Sequence, residues 1–273
     1  MDKCQPLLES SDPFPVGEQR LRSPSPFLLI GDHAGNAVPQ RLGDLGISPA
    51  DLNRHIGIDI GIHGVSQRLS ELLDAPYVYQ RYSRLVIDCN RTPGSPTSIT
   101  PVSDSTRVPA NHGLSTDDIA MREAEIFWPY QGAISRQLQA MQKNGSSPAV
   151  IAMHSFTPKH GDFPAPRPWH IGILFNRDDR LAATLISLLE KDRDLAIGVN
   201  QPYAVADEAD YAVPVHCEQG GLLHVALEIR QDLIETEAGQ RAWAERLARL
   251  LPMALNAATA RAAQKTEVRK KET

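Results

Sequence analysis

Cysteine is scarce in this chain of 273 residues: Cys4, Cys89 and Cys217, with no Cys-x-x-Cys pair. So small and odd a set excludes a disulfide framework and a thiolate zinc site. No apolar run approaches the ~20 residues of a membrane span. The N-terminal stretch MDKCQPLLESSDPFP has acids and prolines but no apolar core, so it does not read as a secretion signal. Lys and Arg are scattered through a chain of net charge −5, so there is no basic footprint for nucleic acid. These absences lead to the expectation of a cytoplasmic protein with neither a nucleic-acid nor a membrane partner. An anionic ligand would be repelled at long range by such a chain and must be held by local arginines.

Hydrophobic residues make up 41% of the chain, enough for a large core in one domain. Residues 1–25 are rich in Pro and Ser and read as a loosely ordered arm. Residues 26–262 read as a single domain, and 263–273 as a frayed, charged tail. There is no internal repeat. Short apolar runs alternate with helical patterns. Phe27–Ile30, Leu85–Ile87, Ala149–Met153, His170–Phe175 and His224–Ile229 read as strands. Ile60–Leu73, the stretch from Ser115 to Met141 bent at Pro129, Asp179–Glu190 and the stripe from Trp243 to Ala254 read as helices. Strands apolar on both faces that alternate with helices predict a three-layer α/β/α sandwich. Ligands collect at the strand carboxyl ends of such sheets. The polar residues there are His33, Asp88, Asn90, Arg91, His154 and Glu228.

Of nine histidines, His33 and His154 stand out because each directly follows an apolar strand. Two such imidazoles with acids at neighbouring strand ends are a zinc-type ligand set. His55, His63 and His112 sit in surface-helix or loop contexts where a solvent or capping role is expected. A structural role is favoured for His216 and His224. Asn90 and Arg91 together match the two oxygens of a carboxylate, unless Arg91 merely pairs with Asp88; the segment alone leaves the two readings even. Glu228 interrupts an apolar strand, where a carboxylate is costly unless paired or put to use. It is either a general base or the partner of Arg230, which shares its strand face. Arg230 is alternatively a second anion clamp.

Several segments, in this order, resemble the N-formylglutamate amidohydrolase family. They are Asp32-His33-Ala34-Gly35-Asn36, Gly57-Ile58-Asp59-Ile60-Gly61, Tyr82-Ser83-Arg84-Leu85 with Asp88-Cys89-Asn90-Arg91, and Asn111-His112-Gly113-Leu114-Ser115. They continue with His154-Ser155-Phe156-Thr157-Pro158, Arg167-Pro168-Trp169-His170, Asn200-Gln201-Pro202-Tyr203, and Leu227-Glu228-Ile229-Arg230-Gln231-Asp232. A more distant likeness connects the chain with zinc carboxypeptidases and with the aspartoacylase and succinylglutamate desuccinylase enzymes. It implies a mixed, mainly parallel sheet and one zinc per chain. Where those families have His-x-x-Glu, this chain has Asn36, a poor zinc ligand. Asp59 is the substitute expected here, with an N-cap as its other reading, and Asp32 is a less favoured one. The resemblance implies zinc on His33, Asp59 and His154, Glu228 as the base, and Asn90, Arg91, Arg84 and Arg230 around a small N-acyl amino acid.

Overall fold

A computed structural model describes residues 5–162 and 165–271, with side chains through Arg261. The strands are β1 (Val16–Gln19), β2 (Phe27–Gly31), β3 (Tyr77–Gln80), β4 (Val102–Ser103), β5 (Thr106–Arg107), β6 (Ala149–Phe156), β7 (Ile171–Leu174), β8 (Ile197–Val199) and β9 (His224–Arg230). The helices are α1 (Pro49–Leu52), α2 (Ile62–Leu72), α3 (Thr116–Arg122), α4 (Trp128–Lys143), α5 (Arg180–Leu189) and α6 (Glu237–Lys271).

Seven strands form one sheet in the order β1-β3-β2-β6-β9-β7-β8, and β4 and β5 make a separate hairpin. β3, β2, β6 and β9 are parallel, while β1 and β7 pair antiparallel at β3 and β9. The sheet is therefore mixed and mainly parallel, as expected. Alternation along the strands divides the core. Phe27, Leu29, Ile151, Val225 and Leu227 pack with α2, α5 and α6 on one face. Leu28, Ile30, Val150, Ala152 and Ala226 pack with Ile126, Phe127, Tyr130 and Ile134 on the other. Two apolar faces need two helical layers to cover them.

Three stretches differ from their sequence-based expectation. Val16–Gln19, placed in a loosely ordered arm, is an edge strand in register with Tyr77–Gln80. Backbone pairing with β3 holds it despite the prolines around it. The α6 backbone stays helical to Lys271, so the tail expected to fray is helical over 263–271, and 272–273 lie outside the described residues. Leu85–Ile87 is not a strand. It is a buried turn in which Ser83 Oγ accepts from Leu85 N and donates to the Gly57 carbonyl, while Val86 N bonds back to Ser83 O. A run of three apolar residues cannot distinguish a strand from a buried turn.

The stretch from Ser115 begins with the expected cap, Ser115 and Asp118 bonding reciprocally. A wide turn over Glu123–Phe127 then leads into α4, which puts Pro129 in a first turn, where its missing N–H costs nothing. Arg122, at the end of α3, is buried and donates to the carbonyls of Val86 and Ala110 and to Asn111 Oδ1. It thereby ties α3 to the loop that carries Asp88, Asn90 and Arg91. No described helix is long and apolar enough to cross a membrane.

Candidate metal centre and active site

The carboxyl ends of β2, β6 and β9 open into a cavity of about 530 Å³. His33 follows β2, and His154 lies on β6 directly beside Glu228 on β9. Asp59 precedes α2. It does not cap that helix; the cap position is Gly61, at φ 76°. A side chain at Gly61 would also meet the Ile234 carbonyl at 2.1 Å, so glycine is required there on two counts. The Asp59 carboxylate is left to turn inward.

It faces both imidazoles. Asp59 Oδ2 is 3.0 Å from His154 Nδ1 and 3.5 Å from His33 Nδ1, and it also accepts Ser155 N at 3.2 Å. The ring centroids of the two histidines are 5.1 Å apart. Each ring meets a different carboxylate with its outer nitrogen. His33 Nε2 bonds Asp88 Oδ1 at 2.7 Å, and His154 Nε2 faces Asp32 Oδ2 at 3.2 Å. Tyr130 Oη donates to the other Asp32 oxygen, and Arg84 binds Asp88 while also reaching Asp59 Oδ1. With a metal bound, a carboxylate behind each imidazole would keep the ring proton on the outer nitrogen and turn the inner lone pair toward a shared point. His33 Nδ1 is buried without a hydrogen-bond partner, as a ring awaiting a metal would be. The donor set of two imidazoles and one carboxylate fits a zinc-type ion with an open position.

The charges interact strongly. Burial would raise the Asp59 and Asp88 carboxyls, but His33, with His154 at Asp59 and Arg84 at Asp88, outweighs it and holds both low. Burial would lower His154, but its contacts with Asp32 and Asp59 dominate and hold it well above the usual histidine value. Glu228 goes the other way. Burial, with Asp59 adding to it, pushes its carboxyl up to about 7 against the pull of His154, His33 and Arg84. Its Oε2 is buried without a partner. The strand neighbour across from it is Gly172, where a Cβ would meet the Gln201 carbonyl at 2.1 Å and crowd Glu228 Cβ at 3.2 Å.

The expected substrate contacts separate into those that line the cavity and one that does not. Arg84, Asn90 and Arg91 line it. Arg91 pairs with Asp210 at 2.5 Å rather than with Asp88, and Asn90 donates to the same Asp210 and accepts from Tyr211 N and Ala212 N. Arg230 is outside the cavity lining and is not the partner of Glu228. It bonds Asp232 and the Pro168 carbonyl instead. Although Glu228 and Arg230 share a strand face, Arg230 is the last residue of β9, where the chain turns away. Asn36 bonds Asn53 in an exposed position, so the carboxylate that faces the imidazoles is that of Asp59.

Sequence reasoning underrated Asp32 and did not consider Arg167 as an anion site. Arg167 donates to Tyr203 Oη at 3.0 Å and to the Thr157 carbonyl, and both partner residues line the cavity. Its guanidinium stacks 5.1 Å over the Tyr203 ring, and it has no acidic partner among the described residues. His216 bonds Gln131, and His224 bonds the Leu222 carbonyl.

The model of the N-formylglutamate amidohydrolase family matches residues 25–235. The chain belongs to that family. A gene product of Agrobacterium tumefaciens has the same fold with a TM-score of 0.87 and 35% identity, over 92% of this chain and 98% of that one. An N-formylglutamate amidohydrolase of Ralstonia eutropha aligns with a TM-score of 0.66 and 16% identity, over 90% and 99% respectively. No curated protein sequence matches the chain. Membership makes the chain an amidohydrolase by family, and the cavity with His33, Asp59, His154 and Glu228 is its candidate active site.

Proposed function

We propose that the protein hydrolyses N-formyl-L-glutamate to formate and L-glutamate, with one zinc ion held by His33, Asp59 and His154. The observation that carries this reading is Glu228, its buried Oε2 without a hydrogen-bond partner, beside His154 on the wall of the same cavity, in a chain of this family. The bound metal would polarise the formyl carbonyl and make a water acidic. Glu228 takes a proton from the attacking water and returns it to the departing amine. Asp88 and Asp32 hold the two imidazoles in orientation.

Arg167 is assigned to a substrate carboxylate, because Arg84 and Arg91 already have acidic partners while Arg167 has none among the described residues and bonds Tyr203 and Thr157, which line the cavity. Asn90 and Arg91 then shape the pocket through Asp210. Arg167→Ala is expected to raise KM for N-formyl-glutamate about tenfold or more, since a hydrogen bond to a charged group is worth about 1.5–3 kcal/mol. The fall in kcat should be smaller. An unchanged KM would return the role to Arg91.

Metal uptake must displace protons, because His154 and His33 are both held above the usual histidine value when no metal is present. Apparent zinc affinity is expected to rise with pH. Calorimetric binding enthalpy should change with the ionisation heat of the buffer. A buffer-independent enthalpy and a flat affinity between pH 6 and 8 would contradict this proton count. The test of the function itself is formate release from N-formyl-glutamate by chelator-treated enzyme before and after zinc is restored. Zinc-dependent release supports both parts. Release from another N-acyl amino acid alone would change the substrate, and none from any such amide would sink the reading.

A further inference from the structure

Another group of donors lines the same cavity. His55 comes from the turn after α1, Asp104 from the tip of the β4–β5 hairpin, and His160 from the loop that follows β6. Asp104 and Ser105, the two residues of the hairpin tip, both have positive φ, 42° and 60°, as a two-residue hairpin turn of this kind requires. Left-handed backbone at two successive non-glycine residues costs energy and here aims the Asp104 carboxylate between the two rings. His55 Nε2 is 3.2 Å from Asp104 Oδ2, and His160 Nδ1 is 3.1 Å from Asp104 Oδ1. One ligand atom from each residue falls in a common group within 4.8 Å.

For His55, hydrogen bonding does not account for the approach. His55 Nε2 is buried and has no hydrogen-bond partner, although a carboxylate oxygen is 3.2 Å away. The two atoms are close but not in line. His33 Nδ1 has the same relation to Asp59 in the buried cluster. His160 Nδ1 lies 3.1 Å from Asp104 Oδ1 and accepts the backbone N–H of Asp162, so a metal bond through this nitrogen would replace that hydrogen bond. Two imidazoles gathered around one carboxylate are stabilised by a cation placed among them. The Asp104 carboxylate is braced from outside by Arg54 Nη2 at 2.9 Å and by the N–H groups of Gly161 and Asp162. A carboxylate offers about four lone-pair positions, so this leaves capacity for a further ligand. The nearby Arg54 charge works against a cation and makes this the weaker of the two clusters.

We infer that His55, Asp104 and His160 form a second divalent-cation site of the zinc type at the cavity wall. Two imidazoles and one carboxylate prefer zinc, cobalt or nickel to magnesium or calcium. The loaded site would fasten the loop after β6, which carries Thr157, to the hairpin. It would also place positive charge in the cavity of a protein of net charge −5.

The test is cobalt titration of the chelator-treated, full-length protein, followed by visible absorption and elemental analysis, for the wild type and for H55Q/H160Q. The wild type is expected to take up two equivalents, one for each cluster, and the double variant one, with an unchanged circular dichroism spectrum. One equivalent in both proteins would overturn the second site and leave the buried one standing. One equivalent in the wild type and none in the variant would support the second site and sink the buried one. No uptake by the wild type would overturn both. If the double variant does not fold, H55Q or H160Q alone gives the same reading, since each removes one of three donors.

Discussion

Glu228→Gln is expected to lower kcat by about 10²–10⁴-fold, the usual worth of a positioned general base. Metal content should stay at the wild-type level, because Glu228 is not among the three residues whose donor atoms converge. KM should move little, since the amide keeps the shape of the side chain. The pH dependence provides a second readout. With its carboxyl pushed up to about 7 by burial, Glu228 is an effective base only above that range. The acid limb of kcat/KM in the wild type is therefore assigned to it. A bound dication nearby can only lower that value, so the limb falls at or below about pH 7 and is missing from the residual activity of the variant.

Stability gives an independent sign. A carboxyl whose folded pKa lies above its unfolded value of 4.5 stabilises the fold fully below 4.5, and that stability is lost as pH rises through about 7. Metal-free Glu228→Gln should escape this loss and be at least as stable as the wild type at pH 8. A variant that keeps full turnover would remove Glu228 from the mechanism. One that loses its metal as well would make Glu228 a ligand instead of the base.

The parts of this site that were legible in the sequence are those where burial conflicts with polarity. His33, His154 and Glu228 each interrupt or end an apolar strand, and a strand apolar on both faces leaves no cheap position for them. The same alternation that exposes them to the reader also orders the layers, with Phe27 and Leu29 facing one helical layer and Leu28 and Ile30 the other. What could not be read depends on contacts between distant residues. Arg91 reaches Asp210, 119 residues away, and no local pattern records that choice over the nearer Asp88. Asp59 looks like a helix cap from its neighbours. Only the left-handed Gly61 takes over the cap position and releases the carboxylate. Val16–Gln19 carries too little apolar pattern to announce a strand, and its pairing with β3 is settled by backbone hydrogen bonds that are blind to side chains. His55 reads as a surface or loop residue because the hairpin that brings Asp104 to it, Val102–Arg107, is four strand residues around a two-residue tip.

Asp59→Asn is expected to have the other large effect, on metal and fold together. Its carboxylate is 2% exposed and touches His154, His33, Ser155 N and Arg84. An amide keeps the volume but loses the charge, and it is a poor ligand for a zinc-type ion. Metal affinity should fall further than the 10–100-fold that removal of an outer partner costs. Asp88→Asn, which disturbs only the carboxylate behind His33, serves as that reference. Without metal, Asp59 is also the counter-charge of the two imidazoles. Its depressed pKa contributes stability that is present above its ordinary value of 3.8 and is lost as pH falls through the lower folded value. The raised His154 contributes below 6.5 and is lost as pH rises through its folded value. The pair therefore stabilises the metal-free protein most between those limits. Breaking a buried pair by removing one charge costs about 3–5 kcal/mol, so metal-free Asp59→Asn should melt well below metal-free wild type at pH 5–6. The gap should narrow toward high pH, where His154 no longer carries its proton. Zinc should raise the melting temperature of the wild type by mass action and leave that of Asp59→Asn unchanged. Equal zinc-induced shifts in the two proteins would show that Asp59 is no ligand, and would pass that role to Asp32, whose Oδ2 already faces His154.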